Sequence, residues 1–454
     1  MPELTAEQVA SRLGVKLDTV YAYVSRGVLS SHRDGDSRRS RFRAAEVEAL
    51  ALRGRPRRTS RPAALDLIVE TNLTTIVNQR PCYRGRESCR MALTHSFEQC
   101  ASWLWTADDQ ARFRPWEPYR FILPDLEELP HQASARDRLR LAVVLASAAE
   151  PRRADLIPAT VSGISKALIA SMVAALPAAT SASEVAVLPA SAGTGTDTKR
   201  IAPKAATTNA RIPRLYLQND QGKPLSGTIA GRLWSALAGR PASSDLVTAL
   251  NAALVLLADH ELAASTLAAR AAASVRSDPF SVVLAGLGPL AGPLHGSASS
   301  KVHTMIGEAL TLGPHEALVN ALKHQRYPPG FGHRLYPDGD PRARVLTEMI
   351  ESALPGSPQL RAARALADAG HRHCGLKPNI DFALGTLSTV ARMPPSAGET
   401  IFTIARSAGW IAHALEEYSE PPLRFRARAV PRPARVSADR NRPEKAGNQA
   451  ADPG

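Results

Sequence analysis

Three histidines, one carboxylate and several arginines in the second half of the chain have the types and spacing that acid–base chemistry needs. His260 stands between Asp259 and Glu261 in LLADHELAAST, and His295 follows Pro-Leu and precedes Gly296 in AGPLHGSAS. GFGHRLYPDGDPRA holds His333, Arg334 and Arg342, PNIDFALG holds Asp381, and ARSAGWIAH holds Arg406. Singly, each has a structural reading. A histidine on an apolar face is more often a hydrogen-bonded core residue, Asp381 can cap a helix, and Arg406 can be a surface cation. Together they suit one chemistry. A carboxylate beside Phe382 is partly desolvated, which raises its basicity. Histidines can hydrogen-bond a developing oxyanion. Arginines without obvious acid partners can clamp carboxylates bidentately. Glycines beside His295 and His333 let a ligand approach the backbone closely. The set fits removal of a proton next to a carbonyl. HRHC at 371–374 offers metal-ligand types but lacks a second pair, and there is no HExxH, so no metal site is expected.

The elements that must position these groups read as helices. The chain has 454 residues, enough for more than one domain, and is 44% hydrophobic but only 5% aromatic. Residues 64–177 show helical spacing, as in DRLRLAVVLASAA, and the pattern resumes near 226 and runs to about 418. Between them, 178–208 are rich in Ala, Ser, Thr and Gly and read as a flexible insertion. The tail 431–454 reads as disordered. Four cysteines form no CxxC pair, which suits a reducing, cytoplasmic setting. The opening MPELTAEQVA has no basic segment before an apolar run, so no signal peptide is expected. No apolar stretch approaches the ~20 residues that cross a bilayer, so no membrane partner is expected.

Residues 1–58 form a separate unit, followed by a basic linker, RGRPRRTSRP, at 53–62. TAEQ is a capping-box pattern that opens a helix running to Leu13, and LDTVYAYVSRG gives a second helix. A basic wing and a third helix follow. Met1 to Arg61 carries 13 basic and 7 acidic side chains, and the whole chain is +14, which favours acidic partners. A DNA-reading module and a small helical interaction domain both fit this pattern. LTAEQVASRLGVKLDTVYAYVSRGVL resembles the helix-turn-helix of the MerR and excisionase-like families, and SRRSRFRAAEVEAL is similar to the part after it. That resemblance implies DNA as a partner, with Arg38, Arg39, Arg41 and Arg43 meeting phosphates. Lys16 stands where a small hydroxyl residue often caps the second helix.

The remainder, 64–430, resembles citrate synthase. CYRGRES, GPLHG, GFGHR…DPRA, NIDF and ARSAGWIAH occur in that family's order. The resemblance implies an all-α fold with large and small helical domains, the small one at about 297–395, preceded by a small winged helix-turn-helix domain. It implies that Asp381 removes a methyl proton from acetyl-CoA, or another short acyl-CoA. His295 would then hydrogen-bond the thioester oxygen, and His333 would polarise the oxaloacetate ketone. His260, Arg342 and Arg406 would hold the oxaloacetate carboxylates, and Arg424 would reach across a homodimer interface. Citryl-CoA would be hydrolysed to citrate and CoA, as in the tricarboxylic acid cycle. CoA enters as substrate, and no separate cofactor or metal is expected. Ser297 replaces a second glycine, RFRARAV departs from the family's RPR, and 178–208 has no counterpart in compact members. Two other readings remain: a 2-methylcitrate synthase using propionyl-CoA, and a DNA-binding regulator whose synthase-like part senses a metabolite.

Overall fold

Two units make up the chain, Met1–Glu70 and Thr71–Gly454. The computed structural model describes residues 3–13, 15–25, 28–33, 40–44, 46–47, 50, 68–108, 114–120, 129–130, 133–177, 227–238, 243–292, 296–323 and 327–425. His295, Arg38, Arg39, the 53–62 linker, the 178–208 segment and the 431–454 tail lie outside the described residues.

In the first unit, β1 (Glu3–Thr5) leads into α1 (Ala6–Leu13), followed by α2 (Leu17–Ser25), β2 (Ser31–Arg33) and β3 (Ser40–Arg43). The capping box read from TAEQ forms: Thr5 N donates to Gln8 Oε1 at 2.8 Å, and Gln8 N donates to Thr5 Oγ1 at 3.3 Å. At α2 the backbone replaces the missing hydroxyl cap, because Thr19 N donates to the carbonyl of Lys16 at 2.9 Å. The strands form an antiparallel sheet in the order β1-β3-β2. Ala6, Val9, Val20, Leu29, Phe42 and Val47 make its core. Strand alternation turns Phe42 inward and leaves Arg43 exposed.

The second unit begins with a three-stranded antiparallel meander, β4 (Thr74–Val77), β5 (Arg80–Tyr83) and β6 (Arg86–Glu87). This corrects the helical reading of 64–177 over residues 74–87. The β-branched run TTIV favours a strand, and Asn78 and Gln79 close a two-residue turn with φ of 49° and 61°. Helices then follow: α3 (Ser88–Thr94), α4 (Phe97–Thr106), α5 (Ala135–Ala149), α6 (Pro158–Ala174), α7 (Ile229–Leu237), α8 (Ser244–Leu257), α9 (Ala264–Ser274) and α10 (Pro279–Leu290). The last group is α11 (Ala298–Leu312), α12 (Pro314–Lys323), α13 (Pro341–Ala353), α14 (Pro358–Cys374), α15 (Ile380–Val390) and α16 (Ala397–Ser419).

Helices α8 and α16 are the centre of the main core. Nearly every residue of α8 from Leu246 onward is buried, and α16 is buried from Thr400 to Leu415 apart from Phe402. A helix apolar on all sides belongs inside a protein. A second core, built from Val302, Met305, Ile306, Ala309, Ala317, Phe331, Ala363, Leu366 and Phe382, lies among α11, α12, α14 and the start of α15. Helix α13 and the other face of α15 pack into the main core, through Leu346, Ile350, Leu384 and Leu387. The GFGHR loop and the start of α15 therefore stand where the two cores meet. Among the described residues no helix is long and apolar enough to cross a membrane.

Candidate active site

His260 follows the C-terminus of α8, and three elements, β4, β5 and α16, fix the turn that carries it. The Tyr83 hydroxyl lies 3.0 Å from the carbonyl of Val255, 3.2 Å from that of Leu256 and 2.9 Å from that of Asp259. Thr74 Oγ1 donates to Asp259 Oδ2 at 2.5 Å. From α16, Arg406 Nε donates to the carbonyl of Leu257 at 3.0 Å, and His413 Nε2 lies 3.2 Å from Asp259 Oδ2. Gly409 lets the same helix come close: a Cβ there would lie 2.3 Å from the Ala258 carbonyl oxygen. Arg406, Gly409 and His413 lie three and four residues apart, which is one face of a helix.

His333 comes from the loop before α13. Its ring centroid is 5.2 Å from that of His260 and 4.7 Å from that of Tyr336. Tyr336 Oη and His260 Nε2 are 2.8 Å apart. Leu335 N donates to His333 Nδ1 at 3.2 Å. In a neutral ring that leaves the proton on Nε2, so Arg342 Nη2, 3.5 Å from Nε2, lies beside it without donating to it. Burial, reinforced by Arg342, pushes His333 down to about 4. Burial, with Arg342 and Arg406, pushes His260 down as well. Both rings are neutral near pH 7, and His333 offers an N–H to a ligand.

Arg342 and Asp381 join this cluster through Asp340, which the sequence reading did not single out. Asp340 caps α13 and pairs with Arg342 in a fork, Nε to Oδ1 at 3.0 Å and Nη2 to Oδ2 at 2.9 Å. Asp340 Oδ2 also accepts from Ile380 N at 3.0 Å, which ties the loop to the start of α15. This corrects the premise that the arginines lack acid partners, since Arg342 already has one. The pair is buried, yet Asp340 keeps the arginine firmly charged against its desolvation.

Asn379, not Asp381, caps α15; its side chain accepts from Asp381 N at 3.0 Å. The Asp381 carboxylate therefore takes no part in capping and accepts no hydrogen bond among the described residues. Burial pushes its pKa up to about 6, although Arg342 and Arg406 pull the other way. Burial lowers Arg406, with Asp259 opposing. Arg406 is 2% exposed, and its terminal nitrogens have no hydrogen-bond partner among the described residues.

The glycines do something other than make room for a ligand. Gly330 and Gly332 have φ of 80° and 74°. A Cβ at Gly330 would meet Val302 and Phe382, and one at Gly332 would meet Leu376. Gly296 is likewise backed by Leu290. The space beside these residues is filled by the protein's own core.

Two further assigned groups have settings of their own. Arg424 pairs within its own chain, bidentately to Glu417 at 3.0 and 3.1 Å and to Glu420 at 3.3 Å. In the first unit, Arg43 is exposed, while Arg41 is half-buried with its Nε enclosed. A cavity of about 650 Å³, lined by Glu98, Trp105, Trp116 and Lys166 among others, contains none of the groups named above.

The fold is that of solved citrate synthases. The enzyme of the thermophilic archaeon Thermoplasma acidophilum, in ternary complex with carboxymethyl coenzyme A and oxaloacetate, matches with a TM-score of 0.58 and 22% identity, over 81% of this chain and 95% of that one. Residues 66–428 match the family described as citrate synthase, C-terminal domain, and residues 3–55 match a helix-turn-helix domain. The chain belongs to the citrate synthase family. A citrate synthase of Haloferax volcanii is 34% identical over 237 residues, covering 51% of this chain and 62% of that protein. A 2-methylcitrate synthase of Corynebacterium glutamicum is 30% identical over 248 residues, covering 50% and 64%. The chain thus spans less than two thirds of the length of these curated relatives.

Proposed function

We propose that the protein is a citrate synthase, condensing acetyl-CoA with oxaloacetate and hydrolysing citryl-CoA to citrate and CoA. The observation that carries this reading is an unpartnered Asp381 carboxylate of raised basicity at the same site as neutral His260 and His333 and charged Arg342 and Arg406. Asp381 takes a proton from the thioester methyl group, and the resulting enol carbon attacks the oxaloacetate ketone. His333 Nε2–H donates to the ketone oxygen as it gains charge. Arg406 and Arg342 hold the carboxylates, Arg342 while still supported by Asp340, and His260 adds a neutral donor. Water then cleaves the thioester. His295 keeps the role that the family resemblance implies, hydrogen-bonding the thioester oxygen. CoA serves as substrate, with no separate cofactor.

A 2-methylcitrate synthase using propionyl-CoA is a second reading, supported by the similarity to the Corynebacterium protein. One methylene changes binding by only about 1–3 kcal/mol. A CoA-release assay with oxaloacetate, comparing acetyl-CoA with propionyl-CoA, tests both. Release with neither thioester refutes the enzyme and leaves a metabolite-sensing regulator. The helix-turn-helix similarity supports DNA as a further partner.

A further inference from the structure

The tip of the β4–β5 hairpin touches the loop that carries His333. Gln79 Nε2 donates to Asp338 Oδ2 at 2.6 Å, and Asp338 N donates back to Gln79 Oε1 at 3.3 Å. Asp338 lies five residues after His333 and two before the Asp340–Arg342 fork. On its other side the loop is tied to the segment before α15. Lys377 Nζ donates to the Asp338 carbonyl at 2.9 Å, Gly332 N donates to the Lys377 carbonyl at 2.8 Å, and Asn379 Nδ2 donates to the Gly332 carbonyl at 2.8 Å. The hairpin belongs to the main core through Tyr83, whereas Phe331, at the start of the loop, belongs to the second. Gln79 thus links the two.

The backbone at Gln79 makes this contact notable. A two-residue turn with both φ positive favours glycine at its second position. A glutamine held at φ 61° is strained relative to glycine. What glutamine adds there is reach and both a donor and an acceptor, and the structure uses both on one residue of the loop.

We infer that Gln79 is a positioning residue for the proposed synthase reaction, clasping Asp338 so that His333 and Arg342 are held at the geometry the keto acid needs. The inference rests on the synthase reading of the site. Gln79 touches neither the catalytic histidines nor the reacting atoms, and its effect passes through the loop.

Gln79→Gly separates positioning from folding, because glycine relieves the turn strain. The expected result is a thermal midpoint equal to or above that of the unaltered protein, with kcat/KM for oxaloacetate lowered about ten-fold, the size one charge-assisted hydrogen bond supports. Exchange of the Asp338 amide hydrogen should quicken in the same variant. Gln79→Glu alone should be worse, since it sets a carboxylate against Asp338. Combining it with Asp338→Asn restores both bonds with the side-chain donor and acceptor exchanged, and should recover activity and amide protection together. Unchanged exchange at Asp338 in Gln79→Gly overturns the clasp, whether or not the protein turns over. Slowed turnover that only tracks a lowered midpoint, without rescue by the pair, also overturns it. An unaltered protein that releases no CoA overturns the synthase reading instead, and the exchange measurement still decides the clasp.

Discussion

Asp381→Asn should make the protein more stable and nearly inactive, and the two effects share one cause. The carboxylate is displaced from its usual 3.8 to about 6, chiefly by burial. A raised carboxylate pKa means that the folded protein prefers the neutral acid. The stability this group contributes is fully present below pH 3.8 and is lost as pH rises through 6. The displacement corresponds to about 3 kcal/mol of cost for ionising the group at pH 8. At pH 5 the folded form is still mostly protonated, and the cost is about 1.5 kcal/mol. Asparagine copies the neutral acid and titrates nowhere. The variant should therefore exceed the unaltered protein in stability by up to about 1.5 kcal/mol at pH 5 and about 3 kcal/mol at pH 8. Water reaching the half-buried carboxylate reduces both figures. Denaturant unfolding at the two pH values measures the gap, and CoA release measures the chemistry. Loss of a general base lowers the rate by about 10²–10⁴-fold. A variant less stable at pH 8 than at pH 5, relative to the unaltered protein, would refute the desolvation argument. Near-normal CoA release would refute the role as base.

Arg342→Leu should weaken oxaloacetate binding and also lower stability, by about 3–5 kcal/mol, because it strands the buried Asp340 charge. It should also raise the pH at which activity falls on the acid side, since Arg342 holds the Asp381 pKa down; an unchanged acid limb in the pH–rate profile would contradict this. Arg424 is expected to serve a partner subunit, so activity should follow the dimer in sedimentation velocity, and a fully active monomer would count against it. Removing residues 1–58 should abolish salt-sensitive DNA binding and leave CoA release largely intact, because no proposed catalytic group lies there. Equal gel shifts by both proteins would remove the DNA reading.

How legible the site was depended on what each residue does. His260, His333, Arg342, Asp381 and Arg406 stood in short motifs, and the structure brings them together. Tyr336 lay inside one of those motifs, but its contact with His260 crosses 76 residues and leaves no local trace. Asp340 did leave one. Asp followed by Pro at a helix start is a cap signal, and a carboxylate two residues from an arginine is a ready partner. The glycines misled because φ and packing, rather than ligand access, explain Gly330 and Gly332. The meander at 74–87 was hidden by reading a long window for one period, although TTIV and the two-residue turn carried the strand signal. In the first unit, TAEQ was readable because a capping box is satisfied within four residues.

The least legible feature is a buried line of charge behind His260. Asp259 meets His413, and His413 Nδ1 accepts from Arg270 Nη1 at 2.9 Å, which leaves Nε2–H facing Asp259. Arg270 pairs with Glu416 at 2.5 Å and stands 2.9 Å from Glu417 at an angle outside that of a hydrogen bond, and Glu417 takes Arg424. Arg406 and Asp259 influence each other at the near end. Arg406 and Arg270 in the interior, and Arg424 at the exposed end, thus face Asp259, Glu416, Glu417 and Glu420. Paired charges tolerate burial where an isolated charge would not. The members of the line come from α9, α16, the turn after α8 and the segment that follows α16, so no sequence window contains it. Asn72 N also donates to Glu416, at 2.8 Å, just before the strand that sends Thr74 to Asp259. The turn bearing His260 is therefore gripped by Thr74 from the meander and by His413 from α16, and both grips end on one carboxylate. That common anchor explains why Asp259 stays ionised despite complete burial: desolvation opposes its charge, and His413, Arg406 and Thr74 outweigh it.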